Sequence, residues 1–145
     1  MNIHRATLDD LSPLSHLFDQ YRIFYKQKSN PTAAESFIQK RLSLNESVIF
    51  IAKIDGKYAG FTQLYPSFTS VGMKRIWVLN DLYVHQDFRK KGVGEALIRH
   101  TFEYARKTGR TKVMLETGKD NIQAQKLYEK IGFERSISMI YQYSV

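Results

Sequence analysis

A chain of 145 residues with 43% hydrophobic and 13% aromatic content can bury the core of one domain, which excludes a disordered tail. The formal charge of +8 favours anionic partners without choosing among nucleic acid, acidic membrane and a phosphorylated ligand. The absence of cysteine excludes disulfides, thiolate metal sites and a cysteinyl acyl-enzyme. Four scattered histidines (His4, His16, His85, His100) form no metal-ligand spacing, so no metal cofactor is expected. No apolar run reaches membrane-spanning length and Met1–Arg5 lacks a signal-peptide core, so a cytoplasmic protein with no membrane partner is expected.

Ile3–Ala6 reads as an opening strand, and Thr7-Leu8-Asp9-Asp10 as a capping box for a helix whose apolar stripe is Leu11, Leu14, Leu17, Phe18, Tyr21 and Phe24–Tyr25. Asn30 can cap a second helix, with Pro31 at its first position, running to about Leu44. Ser47–Ile54 and Lys57–Tyr65 read as strands joined by the hairpin signal Asp55-Gly56, and Pro66–Gly72 as a loop. Ile76–Val84 is an apolar strand, Glu95–Ala105 a helix stopped at Gly109, and Lys112–Thr117 another strand. Asn121–Ile131 is a helix capped by Gly132, and Ser136–Tyr143 an alternating strand with Ile137, Met139, Tyr141 and Tyr143 on one side. The order predicts one α/β domain over residues 1–145, with a mixed, mostly antiparallel sheet flanked by helices on both faces.

Arg89-Lys90-Lys91-Gly92-Val93-Gly94 lies where strand gives way to helix. Unpaired N–H groups at a helix start, two glycines without side chains and three basic residues suit a pyrophosphate. The alternative is a strand–helix turn with a solvated basic flank. The spacing fits neither the P-loop nor the dinucleotide fingerprint.

Arg-x-x-Gly-x-Gly after a Leu-x-Val strand resembles the acetyl-CoA site of the Gcn5-related N-acetyltransferase (GNAT) superfamily. One strand later, Asn-x-x-Ala-x-x-Leu-Tyr-x-x-x-Gly-Phe (Asn121, Ala124, Leu127, Tyr128, Gly132, Phe133) is similar to the second acetyl-CoA motif of that superfamily. The pair covers roughly the C-terminal half, and the N-terminal half matches in element order. Residues seven apart return to nearly the same helix face, which aligns Asn121 with Tyr128, with small Ala124 between them.

The resemblance implies an acetyl-CoA-dependent N-acetyltransferase working by direct attack in a ternary complex. It assigns the backbone of Leu82, Tyr83 and Val84 to pantetheine and the thioester, and Arg89–Gly94 (Arg89, Lys90, Lys91, Gly92, Val93, Gly94) to pyrophosphate. It assigns Asn121 to the pantetheine arm or a catalytic water, and Tyr128 to the proton donor for the departing sulfur. Asp81 is the candidate base, directly or through water, against a structural carboxylate; Glu116 and His85 are lesser candidates. Asn80 faces away from Asp81 unless a bulge intervenes. Tyr21, Phe24, Tyr25, Tyr65, Phe68 and Trp77 supply either acceptor walls or packing. A small amine, polyamine or amino compound is the favoured acceptor; protein lysine, an N-terminus or a silent acyl-CoA-binding domain are the alternatives. Dispersed Lys and Arg argue against nucleic acid. Dimers are frequent in the superfamily, and Ile137–Tyr143 suits pairing with another chain.

Overall fold

The computed structural model describes residues 1–145. Five strands form one sheet in sequence order: β1 (Asn2–Arg5), β2 (Val48–Ile54), β3 (Lys57–Thr69), β4 (Lys74–Val84) and β5 (Val113–Met114). Neighbours from β1 to β4 are antiparallel, and β5 joins β4 in parallel. The helices are α1 (Leu11–Phe24), α2 (Pro31–Ser43), α3 (Val93–Lys107) and α4 (Ile122–Ile131).

Each face of the sheet carries its own core. On one side Leu14, Leu17 and Phe18 of α1 and Ala34 and Ile38 of α2 pack on Ile49, Ile51 and Phe61. On the other, Val93, Leu97, Ile98 and Ala105 of α3 pack on Phe50, Leu64, Trp77 and Leu79. Mixed sheet and two-sided helical cover match the expected architecture.

Two carboxylates fix the N-terminal helices. Asp10 accepts from the Thr7 N–H (3.0 Å) and the Tyr58 hydroxyl (2.7 Å), and His4 lies 3.2 Å away. The capping box therefore forms, although one 3₁₀ turn, Leu8–Asp10, precedes α1. Asp19 accepts from the Ser29 hydroxyl (2.7 Å) and the Asn30 N–H (2.9 Å), which ties the end of α1 to the start of α2. Asn30 caps α2 through a bond from the Ala33 N–H.

Three expectations need correction. Pro66–Gly72 is a turn only from Ser70: β3 continues to Thr69 and pairs through Pro66↔Trp77 to Thr69↔Lys74. The β2 ladder ends at Val48↔Leu64, so this end of β3 has β4 as its sole neighbour, and a sheet edge tolerates a proline without an N–H. Lys112–Thr117 is paired only at Val113 and Met114, because β4 and β5 part company beyond Val78. Ser136–Tyr143 forms no strand and lies exposed along its whole length. Alternation marks a strand only where one of its faces finds cover, and here neither does.

Candidate active site

The glycine segment folds as the turn that leads from β4 into α3. After a 3₁₀ turn at Gln86–Phe88, Lys90 (φ +63°) and Gly92 (φ +78°) both take left-handed backbone, and Gly92 caps α3. A Cβ at Gly92 would meet nothing within 4 Å, so glycine serves the backbone angle there and leaves the approach open. The first bond of α3 runs from the Ala96 N–H to the Gly92 carbonyl (3.0 Å). The N–H groups of Lys91, Gly92, Val93, Gly94 and Glu95 have no backbone acceptor. Five N–H groups at a helix start thus lack a backbone acceptor, with exposed Lys90 and Lys91 beside them. Val93 is instead buried in the core and anchors the turn.

Beside this turn β4 loses its neighbour. Its ladder to β5 stops at Val78↔Met114, so Leu82, Tyr83 and Val84 present a free edge on that side. On the other side β3 comes unusually close: a Cβ at Gly60 would stand 2.6 Å from the Tyr83 carbonyl oxygen. Gly94 on α3 faces Leu127, Val84 and Leu82, so the two glycine-motif elements and α4 meet at this edge.

The strand carries a bulge that the sequence left open. Gln63 pairs with Asp81 while Leu64 pairs with Leu79, so Asn80 is the extra residue. One inserted residue reverses the alternation. Trp77 and Leu79 pack towards α3, whereas Tyr83 packs towards α1 and α2, and Asp81 shares that side. Asn80 is thereby brought onto Asp81, its Nδ2 donating to Oδ1 at 2.7 Å.

Asp81 is only 3% exposed. Gln63 Nε2 donates to its second oxygen, and Ser47 in turn donates to Gln63 Oε1 at 2.8 Å. Burial pushes the Asp81 carboxyl above its ordinary range, and the bonds from Asn80, Gln63 and Tyr21 only partly offset this. The Gln63–Ser47 support was absent from the sequence reading. Its one signal was a polar residue inside an otherwise apolar β3 run.

Aromatic residues from α1 stand over this carboxylate. Tyr21 donates to the Asn80 carbonyl (3.4 Å), which brings its hydroxyl beside the Asp81 carboxylate. Its ring lies edge-on to Tyr25 (5.0 Å) and Tyr83 (6.4 Å), and Phe24 lies 5.3 Å from Tyr25. Arg89 turns to the same place, its Nε donating to the Val84 carbonyl (3.1 Å) and its guanidinium 5.8 Å from Phe24 and 5.7 Å from Tyr83. Phe24 and Tyr25 are half exposed and so lie at the surface rather than in the core that their helical spacing suggested. Trp77 is buried against Tyr104, and Phe68 is exposed on the β3–β4 ribbon; neither is part of this aromatic group.

Tyr128 packs edge-on to Phe133 (5.8 Å), and burial, then neighbouring Tyr25, raises the pKa of its hydroxyl. Burial and Asp81 likewise raise those of Tyr21 and Tyr25, and Tyr65 is pushed up to about 12. Asn121 caps α4, its Oδ1 accepting from the Ala124 N–H at 3.3 Å. His85 is engaged in its own turn, Nδ1 accepting from the Asp87 N–H.

Comparison with known proteins agrees with this geometry. The sequence pattern of the Acetyltransferase (GNAT) family matches residues 13–133. The chain is 44% identical over 141 residues to the uncharacterized N-acetyltransferase YhfO of Bacillus subtilis (strain 168), covering 97% of this chain and 95% of that one. It is 30% identical to the D-amino-acid N-acetyltransferase HPA3 of Saccharomyces cerevisiae, over 81% of this chain and 75% of that one. A crystal structure of a probable acetyltransferase superposes with a TM-score of 0.93 at 42% identity, covering 100% of this chain and 98% of that one. No helix is long and apolar enough to cross a membrane. A glycine turn with five free N–H groups, a strand edge left open beside it and this agreement in sequence and fold have one explanation: the chain belongs to the GNAT family of acetyl-CoA-dependent acetyltransferases.

Proposed function

We propose that the enzyme, a single catalytic domain over residues 1–145, N-acetylates a small primary amine, amino compounds and polyamines included, by direct attack in a ternary complex in the cytoplasm. The observation that carries this reading is the Asp81 carboxylate buried behind aromatic faces of Tyr21, Phe24, Tyr25 and Tyr83. Aromatic faces and a carboxylate together attract an ammonium group. The name of the relative HPA3 specifies D-amino acids, which supports a compact amino compound. Arg89, with no carboxylate partner of its own, suits an anionic group on either substrate. The same reading has the enzyme working without nucleic acid or metal, and as a homodimer because its uncharged C-terminal segment has no cover within the chain.

In this scheme the free edge at Leu82–Val84 lies along pantetheine, and the N–H groups from Lys91 to Glu95 hold pyrophosphate. Ala124 leaves room on α4, and the Asn121 amide nitrogen remains free to donate beside it. The amine nitrogen bonds to the thioester carbon and the carbon–sulfur bond breaks, giving the amide and free CoA thiol. Asp81 is buried behind Tyr21, so the amine proton reaches it through the Tyr21 hydroxyl. Tyr21 passes its proton to Asp81 and takes the proton of the amine. Tyr128 faces the sulfur. A phenol held above about 10 is a weaker acid than a thiol of about 8.5, so full transfer is uphill. Its contribution is a hydrogen bond to sulfur as charge develops, which reserves the proton for the departing thiolate.

Thiol release from acetyl-CoA, measured against amino acids, polyamines and lysine or N-terminal peptides, tests the proposal. Turnover confined to one small-amine class supports it. Turnover on peptides alone transfers the activity to protein acceptors, and acetyl-CoA binding without turnover on any amine leaves a silent binding domain.

A further inference from the structure

Arg89 is exposed, yet its side chain is held in place. Its Nε donates to the Val84 carbonyl at 3.1 Å, and its guanidinium lies 5.8 Å from the Phe24 ring and 5.7 Å from the Tyr83 ring. The two terminal nitrogens have no partner. The arginines of the two N-terminal helices are already engaged: Arg22 stands 3.6 Å from Asp19, and Arg41 2.9 Å from Glu46. Arg89 therefore brings a planar, unpaired fork of donors to the rings around Asp81. Such a fork matches a carboxylate or a phosphate.

Placement decides between the two. Phe24 belongs to α1, and Tyr83 packs with α1 and α2 on the face of the sheet that carries Tyr21 and Asp81. The N–H groups of Lys91–Glu95 instead open α3, which packs on the opposite face. In the proposed scheme the pyrophosphate already has those N–H groups and the exposed Lys90 and Lys91. The rings around Asp81 have Arg89 as the one cation lying over them. Tyr83 joins the two ends of this group. Its ring stands 6.4 Å from that of Tyr21, whose hydroxyl lies beside the Asp81 carboxylate, and 5.7 Å from the guanidinium. One ring thus separates a place for an ammonium from a place for a carboxylate, which suits a short zwitterion. A polyamine carries the wrong sign at its second end, because Arg89 repels another cation.

We propose that Arg89 selects the acceptor: it holds the carboxylate of a free α-amino acid whose nitrogen lies at Tyr21 and Asp81. The inference rests on the small-amine reading above, narrows it to one substrate class, and moves Arg89 from the donor's pyrophosphate to the acceptor. Val84, which fixes the guanidinium, also ends the free strand edge proposed for pantetheine, so an amino acid held here stands beside the thioester. The carboxylate takes no part in the bond changes. Its amino nitrogen bonds to the thioester carbon as the carbon–sulfur bond breaks, and the products are an N-acetylamino acid and the CoA thiol.

Thiol release from acetyl-CoA is measured for a panel of amino acids, each beside its own carboxamide, and for putrescine, with the full chain and with Arg89→Gln. The unmodified enzyme is expected to prefer an amino acid over its amide by about 10–100-fold in kcat/KM, the worth of a charge-assisted pair of hydrogen bonds. In Arg89→Gln that preference is expected to vanish through a higher KM for the amino acid, with the KM for acetyl-CoA unchanged. The comparison of acid with amide in the unmodified enzyme needs no variant, so it stands even if Arg89→Gln folds poorly. Equal use of acid and amide overturns the proposal, as does a preference that survives in the variant. A raised KM for acetyl-CoA with the preference intact returns Arg89 to the donor's phosphates. Turnover of putrescine without any of amino acids overturns the role of Arg89 and leaves the small-amine reading standing, whereas release on none of these amines sinks both.

Discussion

Asn80 donates a 2.7 Å hydrogen bond to the carboxylate of Asp81, its own neighbour in the strand, a contact that the alternation of a regular strand forbids. The bulge that permits it gives the buried carboxylate one of its few partners. Asn80→Ala removes a bond worth about 1.5–3 kcal/mol to a charged group, which raises the Asp81 pKa further. If Asp81 accepts the amine proton, the acid limb of the pH–rate profile moves to higher pH by about one unit or more. A limb that stays in place in Asn80→Ala assigns Asp81 a purely structural role.

Removing the Tyr128 hydroxyl leaves the ring against Phe133 and takes away the donor to sulfur. Tyr128→Phe is expected to lower kcat by about 10²–10⁴-fold with acetyl-CoA affinity retained. Tyr21→Phe keeps its edge-on contacts with Tyr25 and Tyr83 but removes the hydroxyl beside Asp81. Its kcat/KM should fall most at low pH, where little of the amine is neutral. Steady-state kinetics beside acetyl-CoA titration separates chemistry from binding in both variants.

Gly60 and Gly92 respond to alanine for different reasons. At Gly92 the cost is backbone angle, about 1–2 kcal/mol, and the disturbed N–H array raises the KM for acetyl-CoA. At Gly60 the added methyl meets a backbone oxygen at 2.6 Å, so β3 and β4 must separate where the free edge begins. Thermal unfolding should show the larger loss for Gly60→Ala, and acetyl-CoA titration the cleaner defect for Gly92→Ala.

Acid stability rests partly on Asp10. Burial pushes its carboxyl up, but the bonds from Tyr58, Thr7 and His4 outweigh that and hold it below its usual range. A carboxyl lowered by folding binds fewer protons in the native state, so its stabilisation is complete above the unfolded value near about 3.9 and disappears as pH falls through the folded value. Asp10→Asn should therefore lose about 1–2 kcal/mol at pH 7 and show a flatter decline in stability below about pH 4. Urea unfolding at several pH values measures both.

Local chemistry was readable wherever a residue type performs one job. The Thr7–Asp10 box, Asn30-Pro31, Asp55-Gly56 and Gly132 announced element ends, and all four stand at such ends. Pro66 misled because its acceptability depends on whether a third strand lies beside it, which is a property of the sheet. The bulge at Asn80 was equally hidden, since an inserted residue looks like any other until the opposite strand supplies the register. For the same reason the spacing leaves Tyr21 undecided between acceptor wall and packing: its approach to Asp81 joins α1 to β4 across 60 residues of sequence, a relationship that spacing cannot encode. The glycine motif and Tyr128 stood out because each is tied to a helix terminus or a helix face.

Two residue pairs, Trp77↔Val113 and Val78↔Met114, are all that join β5 to the sheet. For amide exchange this divides one domain into two regimes. Amides of β2 and β3, in continuous ladders over two cores, exchange only when the whole molecule opens, whereas those of β5 and α4 exchange through a local opening of the C-terminal part. A donor lying between Leu82–Val84 and α4 spans both regimes. Its binding should slow exchange across Val113–Ile131 and leave Val48–Leu64 unchanged, so the C-terminal part becomes as resistant as the sheet only while the substrate is held.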